Sequence, residues 1–176
     1  DGKFTWGSSI DVAGGAKNVN PLGIALTKDG RFAYVALSMA NTLAKVDLKT
    51  GKVVASVDVG ICPYGVALSP DERTVYVSNF GGARPEATDV TESSGGSLVA
   101  VDPRAVALRG TLSVVDVSGA PKAVAQLAVG LHPSELLLAD EGRTLYVANV
   151  GADSVSVVHT VARKVARTLP TKPNVD

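Results

Sequence analysis

Asn20-Pro21-Leu22-Gly23-Ile24-Ala25-Leu26, Cys62-Pro63-Tyr64-Gly65-Val66-Ala67-Leu68 and His132-Pro133-Ser134-Glu135-Leu136-Leu137-Leu138 are three versions of one phrase. Eight residues after each proline stands an acid (Asp29, Asp71, Glu141), ten after it an arginine (Arg31, Arg73, Arg143), and thirteen after it a tyrosine (Tyr34, Tyr76, Tyr146). Three matched offsets in three copies define an internal repeat, and a period of this length sets the whole architecture. From Pro21 to Pro63 is 42 residues and from Pro63 to Pro133 is 70, so the second copy carries 28 extra residues, nearly all between Asn79 and Thr111.

Within one copy the pattern is four short strands. Gly23 to Thr27 and Arg31 to Leu37 are β-rich runs joined by Lys28-Asp29-Gly30, an Asp-Gly hairpin signal. Thr42 to Leu48 and Lys52 to Val59 follow, joined by Lys49-Thr50-Gly51, and no window carries a 3.6-residue apolar period with helix caps. Four antiparallel strands per 42 residues is the size of a β-propeller blade of the WD40-like kind. The fold class expected is therefore all-β: three full blades with partial ends, an incomplete ring or a fragment of one.

The blade boundaries expected are 20–61, 62–131 with its insertion at about 80–110, and 132–172. Residues 1–19 read as the end of a preceding blade, with Lys3 to Val12 as its outgoing strand, and 173–176 as the start of a following blade or a tail. A propeller closes with about four to eight blades, and repeats with open apolar ends need covering. Either a longer parent or association between copies is expected to complete the ring.

Tyr76-Val77-Ser78-Asn79 and Tyr146-Val147-Ala148-Asn149, with the proline and Asp-x-Arg offsets, resemble the YVTN-repeat family of β-propellers over nearly all of residues 20 to 170. The resemblance implies a commonly seven-bladed ring and an exported bacterial or archaeal protein, in the periplasm or outside the cell. The insertion, with Asn79-Phe80-Gly81-Gly82-Ala83-Arg84-Pro85 and Val101-Asp102-Pro103-Arg104, is similar to two-part bacterial proteins in which a propeller precedes an alkaline-phosphatase-like phosphoesterase domain. Nothing in the chain resembles the metal-binding phosphoesterase half. The family pattern is broken at Leu37, where the motif asparagine is missing, and at Ser134-Glu135, where the glycine is replaced.

Seventeen basic and seventeen acidic residues cancel, so no net field attracts nucleic acid or an anionic membrane. No apolar run approaches the roughly 18 residues of a membrane span. Cys62, the lone cysteine, has neither a disulfide partner nor zinc-type spacing around it. The chain begins at Asp1 rather than Met, from which processing or trimming is expected.

The loop before each innermost strand lies at one rim of a propeller's channel, which makes Asn20, Cys62, Tyr64 and His132 the candidate ligand-binding residues. A long excursion from a rigid scaffold is a common recognition surface, and Phe80, Arg84 and Glu86 are its candidate partner contacts. Asn79 and Asn149 read as turn formers at strand ends, and the Asp71–Arg73 type of pair as a polar clasp across a hairpin. His159 fills the slot of Asp47 and Asp116 and reads as a surface residue. No Gly-x-Ser-x-Gly elbow, His-Glu-x-x-His helix or phosphate loop is present, so no catalytic residue, metal or cofactor is expected. The function expected is a binding or scaffold module for a protein or small ligand, non-catalytic by itself. The alternatives are the propeller part of a larger secreted phosphoesterase and a propeller of an electron-transfer or quinone-cofactor protein.

Overall fold

A computed structural model describes residues 7, 9–14 and 17–171. The first sheet holds β1 (Pro21–Leu26), β2 (Phe32–Leu37), β3 (Thr42–Asp47) and β4 (Lys52–Asp58), paired antiparallel in chain order. The chain continues through β5 (Ile61–Leu68) and β6 (Thr74–Gly82), leaves as a hairpin of β7 (Thr91–Ser94) and β8 (Ser97–Ala100), and returns through β9 (Gly110–Asp116) and β10 (Lys122–Val129). The second sheet is ordered β10-β9-β6-β5, with the hairpin as a separate two-stranded sheet. The third sheet is β11 (Pro133–Ala139), β12 (Thr144–Asn149), β13 (Ser154–His159) and β14 (Lys164–Pro170). No α-helix occurs among the described residues. Residues 9–12 carry no strand, and the rest of the expected outgoing strand, Lys3 to Thr5, Trp6 and Ser8, lies outside the described residues, as do 172–176.

The sheets stack face to face. Tyr34 and Leu43 of the first meet Val75, Val77 and Val115 of the second, while Tyr76, Leu112 and Val114 of the second meet Leu145, Val147 and Val158 of the third. Full burial of each such side chain stabilises the stack by roughly 1.5–3 kcal/mol. The opposite face of the first sheet is covered in part by Ile10, Val12, Ala13 and Val19, packed on Ala33, Val35 and Val46. The third sheet's outer face stays open: Leu137 is 66% exposed, and Tyr146 is only half-buried where Tyr34 and Tyr76 are 2% and 5% exposed.

The repeated phrase has a backbone explanation. Asn20, Cys62 and His132 all adopt the left-handed conformation (φ 48°, 50° and 48°), and each following strand shifts register just after its proline. Two residues past the proline, a Cβ on Gly23 would collide with the Tyr64 carbonyl oxygen, and one on Gly65 with that of Ser134. The glycines let neighbouring inner strands touch. Glu135, exposed at the third such position, carries a side chain where the first two sheets admit none.

The Asp-x-Arg signature differs from the expected clasp. Asp29 Oδ1 accepts from Thr27 Oγ1 (2.6 Å) and from the Arg31 backbone N–H (2.9 Å), and Asp71 Oδ1 does the same with Ser69 Oγ (2.5 Å) and Arg73 N–H (3.1 Å). An aspartate folding back on a backbone amide two residues on is an Asx turn, and the guanidinium is not part of it. In the third copy Asp140–Gly142 forms a left-handed turn (φ 51°, 56° and 86°), and Asp140 rather than Glu141 accepts from Thr144 Oγ1 (2.6 Å).

Candidate functional site

The inner-strand loops and the turns between β2 and β3, β6 and β9, and β12 and β13 lie at one end of the sheets, and the insertion rises from the middle of these turns. The insertion folds as a β-hairpin. Thr91–Ser94 pairs with Ser97–Ala100 across Gly95-Gly96 (φ 57° and 84°), and two positive φ angles in succession make a tight primed turn. The hairpin is tied to the sheets rather than extended into solvent. Val99, Val101 and Ala107 bury Ile61 in a small core of their own, while Asn41 Nδ2 donates to Ser97 Oγ (2.7 Å) and Asn41 Oδ1 accepts from the Cys62 N–H (2.8 Å). At its base Arg109 donates to both oxygens of Asp89 (2.6 and 2.8 Å) and holds that carboxyl below the usual carboxylate range.

Roofed in this way, the rim forms two adjoining clefts. One, of 370 Å³, is lined by Cys62, Phe80, His132, Glu92, Ser94 and Val99 among others; the other, of 250 Å³, by Asn20, Met39, Cys62, Tyr64, Phe80 and Ser94 among others. Cys62, Phe80 and Ser94 border both. The Phe80 ring stacks on the His132 imidazole (centroids 4.4 Å apart, planes 9°), and Tyr64 lies 6.1 Å from Phe80 at 31°. Rings at these separations form a continuous aromatic line.

All four expected rim residues and Phe80 thus meet in one place. Arg84 and Glu86 do not: they border a separate cleft with Asp58 and Gln126, and Arg84 reaches Asp58 at 3.6 Å with both side chains largely in solvent. Such an exposed pair contributes little to stability. Among the described residues no three His, Cys, Asp or Glu side chains converge as metal ligands. Burial pushes the Cys62 thiol up, which keeps it protonated and weakly nucleophilic.

Asn79 and Asn149 do something other than shape turns. They are 0% and 2% exposed, and their Nδ2 groups donate across strands, Asn79 to Thr111 Oγ1 (3.0 Å) and Ser113 Oγ (2.9 Å), Asn149 to Ser154 Oγ (3.2 Å) and Ser156 Oγ (2.9 Å). Each amide clamps its turn from inside, and each Oδ1 is buried without a partner. His159 caps a turn, its Nδ1 accepting from the Ala162 N–H (3.1 Å) as Asp47 and Asp116 carboxylates accept from theirs. Sequence reasoning missed Asn41 and Glu92; the only advance signal was the Gly95-Gly96 pair, whose hairpin sets Glu92 beside the rim.

A wider cleft of 620 Å³ opens at the opposite ends of the strands, between the second and third sheets, bordered by Asp71, Tyr76, Arg143, Thr160 and Arg163. Burial pushes the Tyr76 phenol up, opposed by the nearby Thr160 hydroxyl. Two carboxylates, Asp71 and Glu141, and two guanidiniums, Arg143 and Arg163, border it, with no aromatic wall beyond Tyr76.

No protein-family model matches the chain, and no curated protein matches it in sequence. Solved structures do match in shape. Hydrazine synthase of Kuenenia stuttgartiensis aligns with a TM-score of 0.66 at 22% identity, over 94% of this chain and 39% of that one. A Bacteroides fragilis protein assigned as a 6-phosphogluconolactonase aligns at 0.64 and 16%, over 88% and 40%, and the Swd1 (Cps50) β-propeller domain from Myceliophteria thermophila at 0.59 and 12%, over 87% and 43%. The chain spans about two-fifths of the length of each, and at these identities the likeness shows the fold alone: the three stacked sheets are β-propeller blades.

Proposed function

We propose that the chain is a binding and scaffold module, non-catalytic by itself, whose recognition surface is the rim roofed by the insertion hairpin. The supporting observation is the convergence of Asn20, Cys62, Tyr64 and His132, drawn from three different sheets, with Phe80 of the insertion around two joined clefts. Rigid inner strands carry the floor, and a tethered excursion carries the roof, an arrangement suited to holding a small ligand or a segment of a partner protein. The family resemblance supports a periplasmic or extracellular setting. Chemical-shift mapping of a fragment library tests the reading. Perturbations clustered on Phe80, Tyr64 and His132, and lost in the Phe80→Ala variant, are the expected result; perturbations confined to the Tyr76–Arg163 cleft would overturn it.

The open face of the third sheet, with Leu137 in solvent, supports a larger parent assembly. The insertion's likeness to propeller–phosphoesterase proteins makes a propeller section of such an enzyme the second reading. The mass of the native protein separates the two, since a parent no larger than a propeller leaves no room for a phosphoesterase half.

A further inference from the structure

We infer that the roofed rim accepts a basic side chain, lysine or arginine, presented by an extended peptide segment; this rests on the binding reading above and assigns its ligand class. The residues bordering the two clefts include one carboxylate, Glu92, and no lysine or arginine. Among the described residues no cation lies within ion-pair distance of Glu92, although other acids of the insertion, Asp89 and Asp102, are paired with Arg109 and Arg104. The uncommitted charge of the site is therefore negative, and a carboxylate or phosphate ligand is repelled from it.

The walls suit the rest of such a side chain. The exposed Met39 and the half-buried Phe80 offer apolar surface to a methylene stem, and long basic side chains bury their stems while the charged head keeps polar company. Tyr64, 37% exposed beside Phe80, offers a ring face, and the negative face of an aromatic ring attracts an ammonium or guanidinium.

The roof supplies the peptide's footing. β8 is flanked on one side by β7 and on the other by the 106–108 segment, with Leu108 N–H donating to the Ala100 carbonyl and Val101 bridging Ala107. Among the described residues β7 has β8 alone as a strand partner, so the outer edge of the strand that carries Glu92 and Ser94 keeps unpaired backbone groups. An unpaired edge is a template for one more strand, with backbone hydrogen bonds giving affinity and alternate side chains giving specificity.

Three acetylated, amidated hexapeptides of threonine and valine, identical except for a central lysine, norleucine or glutamate, provide the test. Binding is read by chemical-shift titration of the chain, with circular dichroism confirming that variants fold. The lysine peptide should shift Glu92, Phe80 and β7 amides and bind about five-fold more tightly than the norleucine peptide, the range of an exposed ion pair with a ring contact. Glu92→Gln should erase that preference, and Glu92→Lys should transfer it to the glutamate peptide. Equal binding of lysine and norleucine peptides, or a preference that survives Glu92→Gln, overturns the charge assignment and leaves the rim reading standing. If no peptide and no fragment perturbs this face, the rim reading falls as well.

Discussion

Replacing Gly65 by alanine should loosen the junction between the second and third sheets. The added Cβ meets the Ser134 carbonyl oxygen and lies 3.0 Å from Ser78 Oγ. Neither atom is free to move aside: the oxygen belongs to the backbone of β11, and Ser78 Oγ accepts from the Gly65 N–H (2.8 Å) while donating to the Ser134 carbonyl (2.5 Å). Relief requires the two inner strands to separate by about 1 Å to reach ordinary van der Waals distance. That gap strains the Ser78 bridge, whose two buried hydrogen bonds are worth about 1 kcal/mol each, and overpacking adds about 1–3 kcal/mol. A loss of about 3 kcal/mol is expected, and at about 2–4 °C per kcal/mol for a chain this long the thermal midpoint should fall by about 6–12 °C. Circular dichroism melts of Gly65→Ala measure it, with Gly119→Ala as the control because nothing lies within 4 Å of a Cβ there. A Gly65→Ala midpoint within 2 °C (a threshold of roughly 1 kcal/mol) of the parent would refute the close-approach argument.

Asn79→Ala removes two buried cross-strand donations and leaves a void between β6 and β9, so urea denaturation should show a loss of about 2–3 kcal/mol; a loss under about 0.5 kcal/mol, the size of an ordinary surface change, would mean that the clamp is not formed. The Asp89–Arg109 pair should make the insertion acid-labile. A carboxyl held below its ordinary 3.8 stabilises the fold fully above that value and loses the contribution as pH falls through the lowered one. Amide exchange in Thr91–Ala100 should therefore quicken below about pH 4 relative to exchange in the sheets, and Asp89→Asn should abolish the difference. Cys62 should react with iodoacetamide at pH 7 about ten-fold more slowly in the native chain than in urea, read by intact mass, because burial holds its thiol protonated; equal rates would contradict its placement.

The blades were legible because the signals that encode them are local and repeated. The Asp-Gly turn before Arg31, the alternation in Lys52 to Val59 and the fixed proline-to-tyrosine offset each report on a few residues, and three copies average out accidents. The rim residues followed from the same repetition, since position in a blade sets position on the ring. What escaped was anything decided between segments. Asn79 reads as a turn residue until Thr111 and Ser113, more than thirty residues away, bring hydroxyls to it. Arg84 and Glu86 neighbour Phe80 in the chain, yet beyond the end of β6 at Gly82 (φ 81°) they border a separate cleft with Asp58 and Gln126. Glu92 carried no motif at all.

The clamp at Asn79 and Thr111 closes the ladder below the point where the insertion departs, so the hairpin behaves as an interchangeable cartridge. Chain length and composition can vary above that seam while the β6–β9 register is left alone, provided that Ile61 keeps a cover and the buried Asn41 amide keeps an acceptor. In the first sheet the corresponding span is only Ser38 to Asn41. A lineage, or an engineer, can therefore rewrite what this face recognises without renegotiating how the blades fold.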